Sequence, residues 1–430
     1  MLGDAQTFIG LLKGYDLKFT KYLKRKTLKN TFRTKLQKKY TVGTDGINTD
    51  KFSEILDDEI TIIKRKVKNL TYNISPYKEQ LILKSRNSNP RMISVPTNRD
   101  RLVLSALQKF LSKKFKNKVS NNNVSLKIHA LKQAISSKKY DAFIKLDIKN
   151  FYPSIDHQLL LTKIKEHIDD VPALYLLEKA LTQVTISKGR RGEKRNNIET
   201  KGVAQGLSIS NILASIYFSD LDAKYLQKEN IAYCRYVDDI VILCYANELE
   251  NIKSSICKDI QGLMLEVHDF KDKSDKSTIG TLHKDKLQFL GFEFYENNLS
   301  VREQSIDKFR DRIIGVFYHN MNKSDKDLYR ELNLKISGCV YDNKQYGWMQ
   351  FFRQIDDKTL LCSLDSFIKS QFKRFKRKYE EKKIKKFIKT YFLLKNYDVD
   401  KLGKNTYIPN FSTGISLKII IDLKEDVEFY

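Results

Sequence analysis

The sequence predicts an α+β chain whose last third is helical, and three observations carry that reading. Two β-rich runs, Glu79–Lys84 and Arg91–Pro96, flank the polar turn SRNSN, as in a hairpin. The run YDAFIKLDI alternates: Ala142, Ile144, Leu146 and Ile148 fall on one face, and Phe143, Lys145 and Asp147 fall on the other, non-core face. From about residue 300 the apolar spacing becomes helical. Ile306, Phe309, Ile313 and Phe317 form one stripe, and Ile368, Phe372, Phe375 and Tyr379 form another.

The remaining elements follow in order. Residues 1–40 are basic and helical in pattern, and the turn VGTDGIN follows, marked by Gly43, Asp45 and Gly46. Helical patterning resumes through Leu70, and NRDRLVLSALQKFLSKKF is an amphipathic helix. PSIDHQLLLTKIKEHI opens another helix, with Ser154 placed as its cap. A basic loop, SKGRRGEKRNN, precedes GVAQGLSIS and a helix carrying Ile209, Ile212, Leu213 and Ile216. IAYCRY and IVILCYA are short strands flanking Val237–Asp238–Asp239, and LQFLGFEFY is a further strand. The last thirty residues are expected to be a tail containing a short strand.

The chain has 430 residues, enough for two or three domains, and is 41% hydrophobic and 11% aromatic. Its net charge of +27, with a pI near 9.6, calls for a polyanionic partner, nucleic acid first. No apolar run is long enough to span a membrane and no signal peptide is evident, so no membrane partner is expected. Cys234, Cys244, Cys257, Cys339 and Cys362 show no CxxC spacing, which argues against zinc or a disulfide framework and for a reducing cytoplasm.

The sharpest feature is Asp238–Asp239 inside the apolar run CRYVDDIVIL. Adjacent strand residues point to opposite faces, so both carboxylates share a site only at a turn between two strands. Exposed acids at a hairpin tip are one reading. A magnesium site is the other, because hard carboxylate oxygens suit that ion. Asp147 ends the alternating strand. If the strands are neighbours, Asp147 and Asp238 converge into a clamp for two cations about 4 Å apart, suited to phosphoryl transfer.

Six ordered segments between about Gly43 and Ser305 resemble the reverse transcriptases, specifically the prokaryotic branch that includes group II intron proteins, retrons and defence-associated enzymes. KLDIKNFYPSID is similar to that family's first catalytic motif, and YVDD to its catalytic box. GVAQGLSIS resembles its Gln-Gly motif and FLGFEF its primer-grip strand. NRDRLVLSAL and VGTDGI resemble two amino-terminal blocks of the intron-type enzymes.

The resemblance implies a right-hand polymerase: fingers, a palm with an antiparallel catalytic sheet, and an α-helical thumb. Asp147, Asp238 and Asp239 are then catalytic. Asp147, Asp238 and the Ile148 carbonyl hold two Mg²⁺ ions, or Mn²⁺, while Asp239 supports them. Lys84, Arg91, Tyr152, Gln205 and Gly206 bind the dNTP, with Tyr152 as an aromatic gate against the 2′-hydroxyl. Leu290 and Gly291 form the primer-grip turn. Lys271, Lys273 or Lys276 serves as general acid.

The expected domains are a helical extension with fingers at 1–140, a palm at 141–298 with 158–200 contributing to the fingers, a basic helical thumb at 299–395 and a tail at 396–430. Residues 369–389 hold eleven Lys/Arg against two Glu. Lys373, Arg374, Arg377, Lys382 and Lys386 among them are expected to grip nucleic acid, and Trp348 is assigned to the core.

The family's usual Ser-Pro is here Ser210–Asn211, and neither a Cys/His-rich nuclease segment nor the retron Val-Thr-Gly and Asn-Ala-x-x-His marks are found. This points to a stand-alone, defence-associated enzyme of the unknown-group or abortive-infection kind. It would copy an associated non-coding RNA template into cDNA from a DNA primer. Template-independent or protein-primed synthesis, and a maturase-like RNA-binding role, are the alternatives. Oligomeric state is not readable.

Overall fold

The computed structural model describes residues 18–37, 41–83, 90–119, 123–187, 199–270, 276–396, 407–411 and 417–427. Its strands, in chain order, are β1 (Tyr77–Ile82), β2 (Arg91–Val95), β3 (Ala142–Asp147), β4 (Thr185–Ile186), β5 (Ala232–Tyr236), β6 (Asp239–Cys244), β7 (Thr278–Thr281), β8 (Leu287–Phe289), β9 (Phe292–Tyr295), β10 (Asn298–Val301), β11 (Cys339–Tyr341), β12 (Lys344–Tyr346) and β13 (Asn410–Phe411). They form four sheets, ordered β2-β1-β4, β5-β6-β3-β7, β10-β9-β8 and β12-β11-β13. The chain folds as two compact units. One comprises Met1–Asn121, Asp147–Lys228 and Lys253–Asp269; the other comprises Asn122–Leu146, Glu229–Ile252 and Phe270–Tyr430.

The first unit is organised by the Asn98–Lys114 helix. Thr97 caps it, accepting the Asp100 amide. Buried Asp100 accepts hydrogen bonds from the Tyr72 hydroxyl (2.7 Å), the Thr97 hydroxyl (2.6 Å) and the Ser75 amide (3.1 Å). Burial pushes its carboxyl upward, against those bonds. The Asn98 amide donates to the Ile47 carbonyl at 3.0 Å, and Arg101 donates to the Thr41 carbonyl at 2.8 Å. The early turn and this helix, some fifty residues apart in sequence, therefore form one hydrogen-bonded cluster. The helix buries Leu102 through Leu107 without interruption. It is a central helix, not the amphipathic one expected.

In the second unit, the half-exposed alternation expected of β3 does not hold: its first five residues are all buried, so both faces of the strand are covered, and Phe143 joins the core. The helical stripe Phe309, Ile313 and Phe317 is buried as the spacing predicts. Trp348 is fully buried and stacks on Phe309 at 4.7 Å, so it is a core residue.

Several sequence expectations need correction. LQFLGFEFY is the β8–β9 hairpin rather than one strand, because Leu290 (φ +52°) and Gly291 (φ +82°) turn left-handed together, the type I′ pattern. The segment after Asn333 is not wholly helical: it contains the β11–β12 hairpin, turned at Asp342 and Asn343, both left-handed. The helix opened by PSIDHQ is capped by Asp156, which accepts the Leu159 amide at 3.0 Å; Ser154 instead ends a preceding short turn of helix. The helical segment expected over 369–389 is broken. The Lys358–Arg374 helix ends within it and the backbone turns left-handed at Lys376. Phe375 still packs on Phe317 at 5.1 Å, and Tyr379 on Phe372 at 5.4 Å. The tail carries the expected strand, β13, and also a Leu417–Glu425 helix. Asp426, just beyond it, forms a buried ion pair with Lys335 at 2.8 Å.

No helix among the described residues is long and apolar enough to cross a membrane. None of the five cysteines is in a disulfide, and burial pushes Cys339 up to about 11.

Trp348→Ala should lower the second unit's stability by about 3–5 kcal/mol, visible as an earlier urea midpoint. Burial pulls Lys385 down from 10.5 to about 8. Folding therefore disfavours its charged form, and this group's contribution to stability falls as pH drops from 10.5 to 8 and is constant below that. Lys385→Met should remove this component. A wild-type-minus-variant stability difference that stays flat between pH 8 and 10.5 contradicts it.

Candidate functional site

The acidic hairpin is built as its sequence requires. β5 and β6 pair antiparallel with Tyr236 opposite Asp239, leaving Val237 and Asp238 as the two turn residues. Val237 is left-handed (φ +55°) and Asp238 is not, the pattern of a type II′ turn. Glycine is usual at the first of these positions, and a β-branched residue there is strained. Arg235, only 2% exposed, donates to the Val237 carbonyl at 2.8 Å and holds the turn. Asp239 opens β6, followed by five buried residues.

The neighbouring strand brings the third carboxylate. The Asp141 amide donates to the Cys244 carbonyl at 3.3 Å, and the Ala246 amide donates to the Asp141 carboxylate at 2.6 Å. These bonds pin the start of β3 to the end of β6. The strands thus run antiparallel, and β3 ends, at Asp147, beside the start of β6.

Beyond Asp147, Ile148 bridges Val267. The flanking bonds use the Asp147 carbonyl, which accepts the His268 amide at 2.9 Å, and the Lys149 amide, which donates to the Glu266 carbonyl at 2.7 Å. The Ile148 carbonyl stays out of that pairing. His268 Nε2 lies 3.7 Å from an Asp147 carboxylate oxygen. The sequence reading looked in this region only for a lysine, Lys271, Lys273 or Lys276, so this histidine was missed.

Arg302 was also missed. Its amide donates to the Gly291 carbonyl at 2.9 Å, tying it to the Leu290–Gly291 turn. Burial lowers the affinity of its guanidinium for the proton, and the Asp239 charge opposes that shift. A cation attached to the β8–β9 hairpin thus feels the acidic hairpin.

The other predicted contacts gather in the first unit. Arg91 opens β2 opposite Ile82. Three residues on, the Ser94 amide donates to the Gln205 carbonyl at 2.7 Å. Gly206 is left-handed (φ +95°), and a Cβ there would lie 2.5 Å from Ile93 Cγ2 and 3.2 Å from the Ser94 carbonyl. The Gln-Gly turn is therefore pressed onto the strand carrying Arg91. The Tyr152 carbonyl accepts the Val203 amide at 2.8 Å, and its hydroxyl donates to Asn211 Oδ1 at 2.7 Å. Asn211, standing where the resemblance calls for proline, supplies that acceptor. Lys84, Lys271 and Lys273 lie outside the described residues; Lys276, just before β7, is exposed.

The five basic residues do not share one helix face. Lys373 and Arg374 are exposed at a helix end, and Lys382 is exposed in the following turn. Arg377 instead donates to the Asn320 carbonyl (2.6 Å) and the Lys323 carbonyl (2.8 Å) and pairs with Asp325, a structural role. Lys386 pairs with Glu381.

Among the described residues no group of three or more His, Cys, Asp or Glu side chains is placed to hold a metal ion. The carboxylates of Asp147, Asp238 and Asp239 are hard oxygen donors, the type that suits magnesium rather than zinc.

The family model described as reverse transcriptase (RNA-dependent DNA polymerase) matches residues 78–294, just over half of the chain. Protein YkfC of Escherichia coli K12 is 24% identical over 247 residues, covering 47% of this chain and 63% of its own. The group II intron-encoded protein LtrA of Lactococcus lactis subsp. cremoris is 25% identical over 193 residues, covering 43% and 31%. The retron Ec73 reverse transcriptase of Escherichia coli is 25% identical over 250 residues, covering 54% and 68%. The chain thus spans less than two thirds of the length of the first of these relatives.

Gly206→Ala should destabilise the first unit by about 1–3 kcal/mol through its left-handed backbone and the clash with β2. Adding Ile93→Ala should recover the clash but not the backbone strain. Urea midpoints of the two single variants and the double variant separate these contributions; strictly additive losses would rule out the contact.

Proposed function

The chain belongs to the reverse transcriptase family, and we propose that it is an RNA-directed DNA polymerase that extends a DNA primer with dNTPs on an RNA template. The observation that supports this most is the sheet edge carrying Asp147, Asp238 and Asp239. Asp147, Asp238 and the Ile148 carbonyl would hold two Mg²⁺ ions, or Mn²⁺. When bound, such ions activate the primer 3′-hydroxyl and steady the leaving pyrophosphate. Asp239, balanced by Arg302, shapes the field. Arg91 meets the triphosphate with positive charge. The Gln205–Gly206 turn supports the base, and Tyr152, held by Asn211, excludes a ribose 2′-hydroxyl. The Leu290–Gly291 turn steadies the primer end.

The template we propose is a dedicated non-coding RNA bound along the basic thumb, and the setting is cytoplasmic defence against phage. Support for this lies in the +27 charge and in the resemblance to defence-associated enzymes. Unchanged phage plating after deletion of the gene would remove the defence role and leave the polymerase reading intact.

Asp238→Asn should cut primer extension at least about 10²-fold, and more than Asp239→Asn does. Undiminished extension by Asp238→Asn sinks the assignment, and equal effects of the two sink the division of labour. Replacing Lys373, Arg374 and Lys382 by Gln should lower the salt slope of duplex binding by up to about 2.7, at about 0.9 for each lost phosphate contact. Arg377→Gln should instead lower stability.

A further inference from the structure

Among the basic residues that follow the Lys358–Arg374 helix, Lys385 and Lys389 differ from the rest in their surroundings. Lys385 is part-buried. Its amide donates to Asn333 Oδ1 at 2.7 Å, and its ammonium donates to the Ser337 hydroxyl at 3.0 Å. Both partners belong to the Asp325–Ser337 helix, and both are neutral. The remaining neighbour is the ring of Tyr407, whose centroid lies 5.1 Å from the ammonium. Lys389, four residues on and exposed, places its own ammonium 5.1 Å from the same centroid. The Tyr407 hydroxyl accepts the Lys386 amide at 2.8 Å and donates to the Lys386 carbonyl at 3.3 Å, which fixes the ring against the two lysines.

The charge of this pair is not answered within the fold. The neighbouring carboxylates are engaged elsewhere. Asp365 accepts the Phe387 and Ile388 amides at 2.7 and 3.3 Å, Glu380 pairs with Lys383, and Glu381 pairs with Lys386. Among the described residues neither Lys385 nor Lys389 pairs with a carboxylate. The ring face attracts both cations, yet a part-buried cation with only neutral partners is costly. That cost is what pulls Lys385 down to about 8. Ser337 takes one of the three ammonium donors of Lys385. An anion on the exposed side of the pair would complete the arrangement, and ammonium donors suit phosphate oxygens.

We propose that Lys385 and Lys389, seated on the Tyr407 ring, form a phosphate-binding site in which the bound phosphate supplies the missing counter-charge. The site uses none of the carboxylates of the acidic hairpin and none of Lys373, Arg374 and Lys382. The phosphate belongs either to the backbone of a bound RNA or to a free inorganic ion. Binding favours the charged form of Lys385. Near pH 8, where that amine is about half protonated, binding takes up as much as about half a proton. Burial pushes the facing Tyr407 hydroxyl upward, away from this range, and Asn333 and Ser337 do not titrate.

The test uses the full chain in EDTA without dNTPs, so its outcome is independent of whether the chain polymerises. Inorganic phosphate and a short single-stranded oligouridylate are titrated by calorimetry at pH 8, in two buffers of different ionisation heat, which yields affinity and proton uptake together. Lys385→Met and Lys389→Gln should each lower the salt slope of oligouridylate binding by about 0.7. That result without saturable binding of inorganic phosphate assigns the site to an RNA backbone. Saturable binding of inorganic phosphate, weakened about tenfold in both variants, assigns it to a free ion. In either case the wild-type proton uptake is lost in Lys385→Met, a loss that a merely structural lysine would not produce. Lys389→Gln, at an exposed position, keeps the test valid if Lys385→Met does not fold. Binding of both probes unchanged in the variants, or proton uptake that persists in Lys385→Met, overturns the proposal.

Discussion

One hydrogen bond carries much of this architecture: Arg235 to the Val237 carbonyl, at the tip of the β5–β6 hairpin. It holds a β-branched residue in a left-handed conformation that such residues avoid. Without that turn, Asp238 and Asp239 would alternate across a strand and face apart. With it, one acid occupies the turn and the other opens β6. Strain of this kind persists where the surroundings over-determine it, and functional sites are where it collects. A buried guanidinium that donates to the turn carbonyl makes sense when the loop positions charge.

The second constraint is electrostatic. The chain carries +27 overall, yet it puts Asp147 at the end of β3 and Asp238–Asp239 at the start of the neighbouring β6. Arg302, just after β10, feels the Asp239 charge, and His268 Nε2 lies 3.7 Å from an Asp147 carboxylate oxygen. Elsewhere basic residues divide between structure and surface. Arg377 closes backbone carbonyls and Lys335 neutralises buried Asp426, while Lys373, Arg374 and Lys382 stay in solvent. Net charge alone cannot separate those two uses, because both add the same unit to the sum.

Much of the site was legible because its signals are local. The double aspartate between two β-rich runs specifies a hairpin tip, and the apolar stripe Phe309, Ile313 and Phe317 specifies a buried face. Trp348 was assigned correctly for the same reason. What escaped depends on long-range contact or on turn chemistry. Arg302 and His268 matter through partners that sequence spacing does not reveal. The β11–β12 hairpin had a readable cue, Asp342–Asn343 between β-favouring residues, but the helical pattern on both sides masked it. β3 read as half-exposed because Lys145 and Asp147 alternate with apolar residues, whereas packing on both faces of the sheet buries its first five residues, Lys145 included. Asn211 looked like a departure from a family pattern; its contact with Tyr152 gives it a purpose.

The account stands or falls on whether synthesis is directed by RNA. The most direct measurement supplies purified protein and Mg²⁺ with primed poly(rA) or primed poly(rC), each with all four dNTPs, and reads the product by sequencing. The account predicts dT runs on the first template and dG runs on the second. Products of the same composition on both templates would contradict it.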